Sequence, residues 1–382
     1  MSTPVTTPAP PPTRLIRNVL VKAALLFVAV NLLFAAVNPL PALGRLTLYN
    51  SVLPGRLRLP YGESPERSYN LSLYNLNALF GSHAVARPKA ADEYRVLLVG
   101  DSSVWGYLLP APQTLAAQLN AAGLVTADGR RLVAYNLGYP ILSLTKDLLL
   151  LSRLAPYQPD LIVWLVTLES FPADKQLFPP LVQNNAAQVR ALIARYQLNL
   201  DPHDPRLVDP SWWDRTLIGQ RRALADLLRL QLYGFLWAGT GIDQDIPAQY
   251  TPRQEDFEPD ASFHDLQPPH LTAEDVAFDV LAAGVEAAGP TPILLINEPM
   301  FVSAGQNSDI RYNFFYPRWA YDDYRVVLAH TAAARGWPYV DLWDAAANTE
   351  FTDSPIHLTP LGESQLAARV GPAILSLAEG AP

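Results

Sequence analysis

The apolar run from Tyr94 to Val99 stops abruptly at Gly100-Asp101-Ser102-Ser103, and a helical pattern follows from about Gln113 to Leu124. A short apolar run that is continuous rather than alternating suits a strand buried on both faces, and such strands belong to parallel sheets covered by helices. The unit recurs along the chain. Strands read at 132–137 and 161–167, with a helix at Leu144–Leu154 between them. After a break come a helix near Ala273–Ala288, a strand at Pro292–Ile296, a helix near Trp319–Arg335 and a strand at Tyr339–Leu342. The last helix starts after Thr359, with Pro360 suited to its first turn. The alternation predicts an α/β fold with a parallel sheet between two layers of helices. From about 171 to 271 it lapses into a helical insertion, with Val182, Ala186, Val189, Ile193 and Tyr196 at helical spacing and a second helix from Arg221 to Trp237.

A small polar residue at the carboxyl end of a buried strand sits where open α/β sheets place their ligand sites. Ser102 is there, at the amide end of the next segment, where negative charge is favoured. It is the candidate nucleophile. Near the C-terminus, Phe351-Thr352-Asp353-Ser354-Pro355-Ile356-His357 supplies a base, His357, and a carboxylate to orient it, Asp353. Asp341 and Asp344 are alternatives for the carboxylate. Asp101 reads as a brace for the loop. His264 and His270 flank a proline pair without metal-ligand spacing and read as surface residues, as do His83, His203 and His330. The sequence therefore implies neither a metal nor a cofactor.

These segments together resemble the SGNH (GDSL-type) hydrolase superfamily. Gly100-Asp101-Ser102-Ser103 with Gly106 looks like its first block, Asn136-Leu137-Gly138-Tyr139 like its second, and Asp353 to His357 like its last. The resemblance covers roughly residues 92–170 and 270–378. It implies a three-layer, flavodoxin-like sheet at 92–378 and acyl-ester chemistry through Ser102, His357 and Asp353. It also implies an oxyanion held by the amides of Ser102 and Gly138. The family has two residues between the aspartate and the histidine; here there are three. It carries an oxyanion-binding asparagine after the third strand, where this chain has Thr167-Leu168-Glu169-Ser170. Thr167 is the expected replacement donor, with Ser170 and the more remote Asn297 as alternatives.

The N-terminus adds a membrane signal. Residues 1–13, rich in Ser, Thr, Pro and Ala, are expected to form a disordered cytoplasmic tail. Between Val19 and Val37 only Lys22 and Asn31 are strongly polar, and a span needs about 20 residues. Residues 14–40 are read as one uncleaved transmembrane helix in the lipid bilayer; a cleaved signal peptide is the rival. Arg14, Arg17 and Lys22 predict a cytoplasmic N-terminus, although Arg45, Arg56 and Arg58 beyond the span oppose that orientation. A juxtamembrane segment, 41–91, would lead to a domain outside the cell membrane.

The formal net charge of −8, without a basic stripe, excludes nucleic acid as a natural partner. The absence of cysteine excludes disulfides and thiolate chemistry. Trp212, Trp213, Trp237, Tyr196 and Tyr233 could line a sugar-binding face, though aromatics at helical spacing are more often core. Leu224–Trp237 could lie on a bilayer, but it contains Asp226 and Arg229, and packing within the domain is the expected outcome. The expected activity is ester hydrolysis or O-acyl transfer on an acyl ester or a cell-surface glycan. A non-catalytic binding or assembly protein on the same fold is the alternative.

Overall fold

The computed structural model describes residues 12–53, 55–61 and 71–380. Helix α1 (Pro12–Val37) leads the chain. It is long and apolar enough to cross a membrane, and helices of this kind serve as membrane spans or as signal sequences.

The sheet has five parallel strands: β1 (Glu93–Val99), β2 (Arg131–Asn136), β3 (Leu161–Val166), β4 (Ile293–Asn297) and β5 (Tyr339–Asp341). Their order is β2-β1-β3-β4-β5, the doubly wound order that reverses direction between β1 and β3. Ligand sites form just outside the strand ends at such a reversal.

Alternate residues of each strand face opposite layers, and both layers are packed. Leu97, Val99, Ile162, Trp164 and Leu295 enter one core with Leu148, Leu281 and Tyr324. Val96, Leu98, Val163, Leu165 and Ile296 enter the other with Leu119, Leu366 and Val370. This is why β3 and the Val96–Val99 part of β1 read as unbroken apolar runs, while β2 at the sheet edge alternates between buried and more open positions.

The connecting helices are α2 (Ser102–Trp105), α3 (Leu115–Ala121) and α4 (Leu144–Leu151). In the insertion lie α5 (Ala186–Tyr196) and α6 (Arg221–Thr240). Then follow α7 (Phe278–Ala287), α8 (Arg318–Arg335) and α9 (Pro360–Gly380). Helix accounts for less of the insertion than its spacing predicts, because the chain runs without helix from Gly241 to Ala277.

The segment before β1 packs into the domain. Leu59, Leu73, Leu76, Leu79, Phe80 and Val85 are buried in the same core as β1 and β3. Arg56 and Arg58, which read as flanking charges in the sequence, are buried as well.

Candidate active site

The loop after β1 is fixed from several directions. Asp101 caps α2, accepting from the Ser103 amide at 2.8 Å. This places Ser102 in the first helical position, where its own amide has no acceptor among the described residues. Gly106 closes the short helix at φ +84°, a left-handed position that glycine adopts without strain. Lys146, fully buried, donates to the Gly100 and Tyr139 carbonyls, both at 2.8 Å, and so ties the loop after β1 to the loop after β2. Its charge is met by Asp147 at 2.7 Å.

His357 Nε2 lies 2.8 Å from Ser102 Oγ, and His357 Nδ1 lies 2.8 Å from Asp353 Oδ1. The three intervening residues are accommodated in a tight hairpin. Phe351 bridges Leu358, and the Thr352 amide and hydroxyl both donate to the His357 carbonyl, at 2.9 and 3.1 Å. The Phe301 amide, beyond β4, holds the Pro355 carbonyl at 2.7 Å. Burial would raise the Asp353 carboxyl, but the bond to His357, the imidazole charge and local donors outweigh it and hold the group below its usual value. The alternatives are engaged elsewhere: Asp341 pairs with Arg325 and accepts from Asn297, and Asp344 is exposed.

The expected oxyanion donors are a different matter. The Gly138 amide, assigned to the oxyanion from the sequence, donates here to Asn136 Oδ1 at 3.0 Å. Glycine is needed there for packing. A Cβ would fall on the Trp105 amide nitrogen and 2.8 Å from the Val104 carbonyl carbon. Thr167 Oγ1 is buried against the Tyr316 hydroxyl at 2.7 Å, so it too is committed. Asn297 is bonded to Tyr321 and Asp341. On the loop that contains Gly138, Ile141 stands at φ +76°, a strained position for a β-branched residue, and its amide has no acceptor among the described residues.

Several residues near the site carry no local signal in the sequence. The Tyr107 ring lies 4.9 Å from the His357 ring, centroid to centroid. The loop bearing Tyr107 is clamped from two remote segments. Arg58 donates to the Gly106 and Leu109 carbonyls at 2.8 and 2.9 Å and pairs with Asp243. Gln244 donates to the same two carbonyls at 3.0 and 2.7 Å. Beneath the loop, Ser103 hydrogen-bonds Glu298, whose carboxyl is pushed well above its usual value by burial and by the negative charge of Asp101.

Glu169, in the segment after β3, turns to a second cluster. It pairs with Lys175 at 2.9 Å and with His264 Nε2 at 3.2 Å, while His264 Nδ1 meets Asp174 at 3.2 Å. His264 is thus an exposed residue whose imidazole lies between two carboxylates. Burial disfavours its charge, but the Glu169 bond and the charges of Glu169 and Asp174 prevail and raise its pKa. The cluster lines a cleft of about 600 Å³ with Phe257, Phe263 and Phe314. No triad residue lines the cleft. It does approach the triad segment: Gln254 in its wall follows Arg253, whose amide donates to the Thr352 carbonyl at 3.1 Å.

No protein-family model matches the chain. No curated protein matches it either. Among solved structures it is similar to a carbohydrate acetylesterase family member from Sinorhizobium meliloti, at 12% identity and a TM-score of 0.33, over 75% of this chain and 100% of that one. It is also similar to the inhibitor-bound aryl esterase of M. Smegmatis, at 12% identity and a TM-score of 0.31, over 74% of this chain and 99% of that one. Likenesses this distant decide neither family nor substrate.

Proposed function

We propose that this chain is a membrane-anchored serine esterase or O-acyltransferase whose domain works outside the cytoplasm. The observation that carries the reading is the continuous line from Ser102 Oγ through both nitrogens of His357 to Asp353. In the proposed reaction Ser102 Oγ attacks the ester carbonyl carbon while His357 Nε2 takes its proton. The resulting imidazolium is stabilised by Asp353 through Nδ1–H. Collapse of the tetrahedral intermediate breaks the ester C–O bond, and His357 returns the proton to the departing alcohol. An acyl group is left on Ser102, to be removed by water or by a sugar hydroxyl.

Negative charge on the carbonyl oxygen would be met by the Ser102 amide, with the Ile141 amide, on the loop after β2, as the second proposed donor. A preorganised donor of this kind lowers a barrier by roughly 2.7–4 kcal/mol. With Gly138 and Thr167 committed, reaction with water should be slow. A bound acceptor hydroxyl can recover rate through its high effective concentration, and the insertion after β3 is the proposed acceptor surface. The anchor reading rests on α1 and on the basic residues Arg14, Arg17 and Lys22 at its start, which orient the N-terminus to the cytoplasm.

The test is mass spectrometry of the full chain after exposure to a fluorophosphonate and to activated acyl esters. An adduct on Ser102 is expected. It should be absent in Ser102→Ala and His357→Ala and form about 10²–10⁴-fold more slowly in Asp353→Asn. Acyl-enzyme decay that accelerates with oligosaccharides, the acyl group appearing on sugar, identifies a transferase. Decay to free acid that no acceptor alters identifies an esterase. A folded chain that never forms the adduct would instead be a binding or assembly protein.

A further inference from the structure

Helix α6 begins where α1 ends. Asn31 of α1 accepts from the Ile218 amide at 3.1 Å, and Asn38, just past α1, accepts from Gln220 at 3.2 Å. Gln220 immediately precedes α6. Asn31 and Ala35 are buried against the domain, whereas Leu32, Leu33 and Val37 remain exposed. If α1 spans a bilayer, lipid must cover those three side chains. A helix rises 1.5 Å per residue, so Asn31 to Val37 is about 9 Å of axis. The domain elements packed beside that stretch must then sit at the depth of the lipid headgroups.

One face of α6 is occupied. Asp226, Leu230 and Gly234 are buried, with Gly234 pressed against the Tyr49 ring. The opposite face is apolar and open. Leu228, Leu232 and Leu236 recur at intervals of four and are 67%, 70% and 59% exposed, with Phe235 and Tyr233 beside them. Gln231 extends the patch by accepting from the Leu48 amide at 2.9 Å and donating to the Leu46 carbonyl at 2.8 Å. Leu46, Leu48 and Val52 are themselves exposed. Trp212 and Trp213 lie exposed near α1, as interfacial tryptophans do. Arg221 and Arg222 are exposed in the first turn of α6. Asp226 and Arg229, the charges that argued against a bilayer, pair with each other at 2.9 Å. Contiguous apolar surface of this kind marks an interaction site, and its continuity with α1 identifies the occupant.

We propose that α6 lies in the surface of the bilayer that α1 crosses, with Leu228, Leu232 and Leu236 at the level of the acyl chains and Arg221 among the lipid phosphates, while Arg222 pairs with the buried Asp226 at 3.9 Å. The domain is thereby held flat against the membrane. The far end of α6 runs directly into Asp243 and Gln244, which clamp the loop beside His357 through Arg58 and the Gly106 and Leu109 carbonyls. The docked helix is therefore bonded to the rim of the proposed site. This inference rests on the anchor reading of α1.

The chain has no cysteine, so single nitroxide labels can be placed cleanly. The full chain would be reconstituted in vesicles of phosphatidylcholine and phosphatidylglycerol, with labels at Leu26→Cys in α1, Leu232→Cys and Leu236→Cys in α6, and Ala334→Cys at the exposed end of α8. Power saturation would be measured with oxygen and with a water-soluble nickel chelate. Expected are high oxygen and low nickel accessibility at 26, 232 and 236, and the reverse at 334. If 232 and 236 are as nickel-accessible as 334 while 26 remains in lipid, the anchor stands and the docking proposal falls. Protection of 232 and 236 from both reagents, with spin–spin broadening, would place a second copy of the chain on α6 and overturn the proposal. A nickel-accessible label at 26 would remove the anchor reading and the proposal with it. Both α6 positions are exposed, so an unchanged thermal midpoint confirms that each labelled chain is folded.

Discussion

His264 shows how an individual residue gains meaning only from its neighbours. In the sequence it is a histidine near a proline pair. In the fold it bridges Glu169 and Asp174, two residues contributed by the segment after β3. Because those carboxylates raise its pKa above the ordinary 6.5, its stabilising contribution is fully present below 6.5 and is lost as pH climbs through the raised value. The thermal midpoint of the native chain should therefore fall on going from mildly acidic to mildly alkaline buffer. His264→Ala should lower the midpoint at acidic pH and flatten that dependence. Differential scanning calorimetry across the range checks it, and an unchanged slope in the variant would show that other groups govern the fall. The meeting of Ser102, His357 and Asp353 is legible because Ser102 ends a buried strand and the other two precede a capped helix. Arg58, Tyr107 and Gln244 were not, because their roles depend on remote contacts that no local pattern reports.

At the scale of elements, buried strands announce themselves by composition, and the sheet follows from them. β3 is apolar throughout, and β1 from Val96 to Val99 and β4 from Ile293 to Ile296 are apolar, because both faces are covered. Helix ends were less legible: the pattern from Gln113 to Leu124 yields a helix only over Leu115–Ala121. The meeting of the loop after β2 with α2 leaves no local pattern in the sequence, where a glycine in that block suggests an oxyanion amide. The structure adds a contact constraint, with backbone atoms of Val104 and Trp105 occupying the space a side chain would need. Because backbone cannot swing aside as a side-chain tip can, Gly138→Ala should push α2 away from the loop. The expected cost is about 1–3 kcal/mol, the usual range for overpacking. Adduct formation at Ser102 should fall with it, since the same displacement moves Ser102 from His357. Urea unfolding and the labelling rate, measured on one preparation, test the link. A stable variant with slow labelling would return Gly138 to a direct role in the chemistry.

For the whole molecule, the decisive question is where the folding unit begins. By sequence, residues 41–91 form a juxtamembrane segment in which proline and arginine interrupt any regular pattern and only the stretch at 68–80 could pack against the domain. In the structure Leu73, Leu76, Leu79, Phe80 and Val85 share a core with β1 and β3, while Arg58 clamps the loop after α2. Burying each such apolar side chain contributes about 1.5–3 kcal/mol. Five of them together rival the ~5–15 kcal/mol by which a typical domain is stable. Removing Arg58 would also leave Asp243 without its buried partner, and breaking such a pair costs about 3–5 kcal/mol. A chain starting at Asp92 should therefore fail to fold cooperatively, although it retains every strand and all three proposed catalytic residues. A chain starting at Leu40 should fold and label at Ser102, because it loses only α1 and the contacts of Asn31, Ala35 and Asn38. With the α6 stripe still exposed, it should also bind vesicles weakly. Circular dichroism melts, fluorophosphonate labelling and vesicle flotation of the two truncations decide the matter. Cooperative melting and labelling by the chain starting at Asp92 would mean that the segment before β1 is an accessory resting on an independent domain.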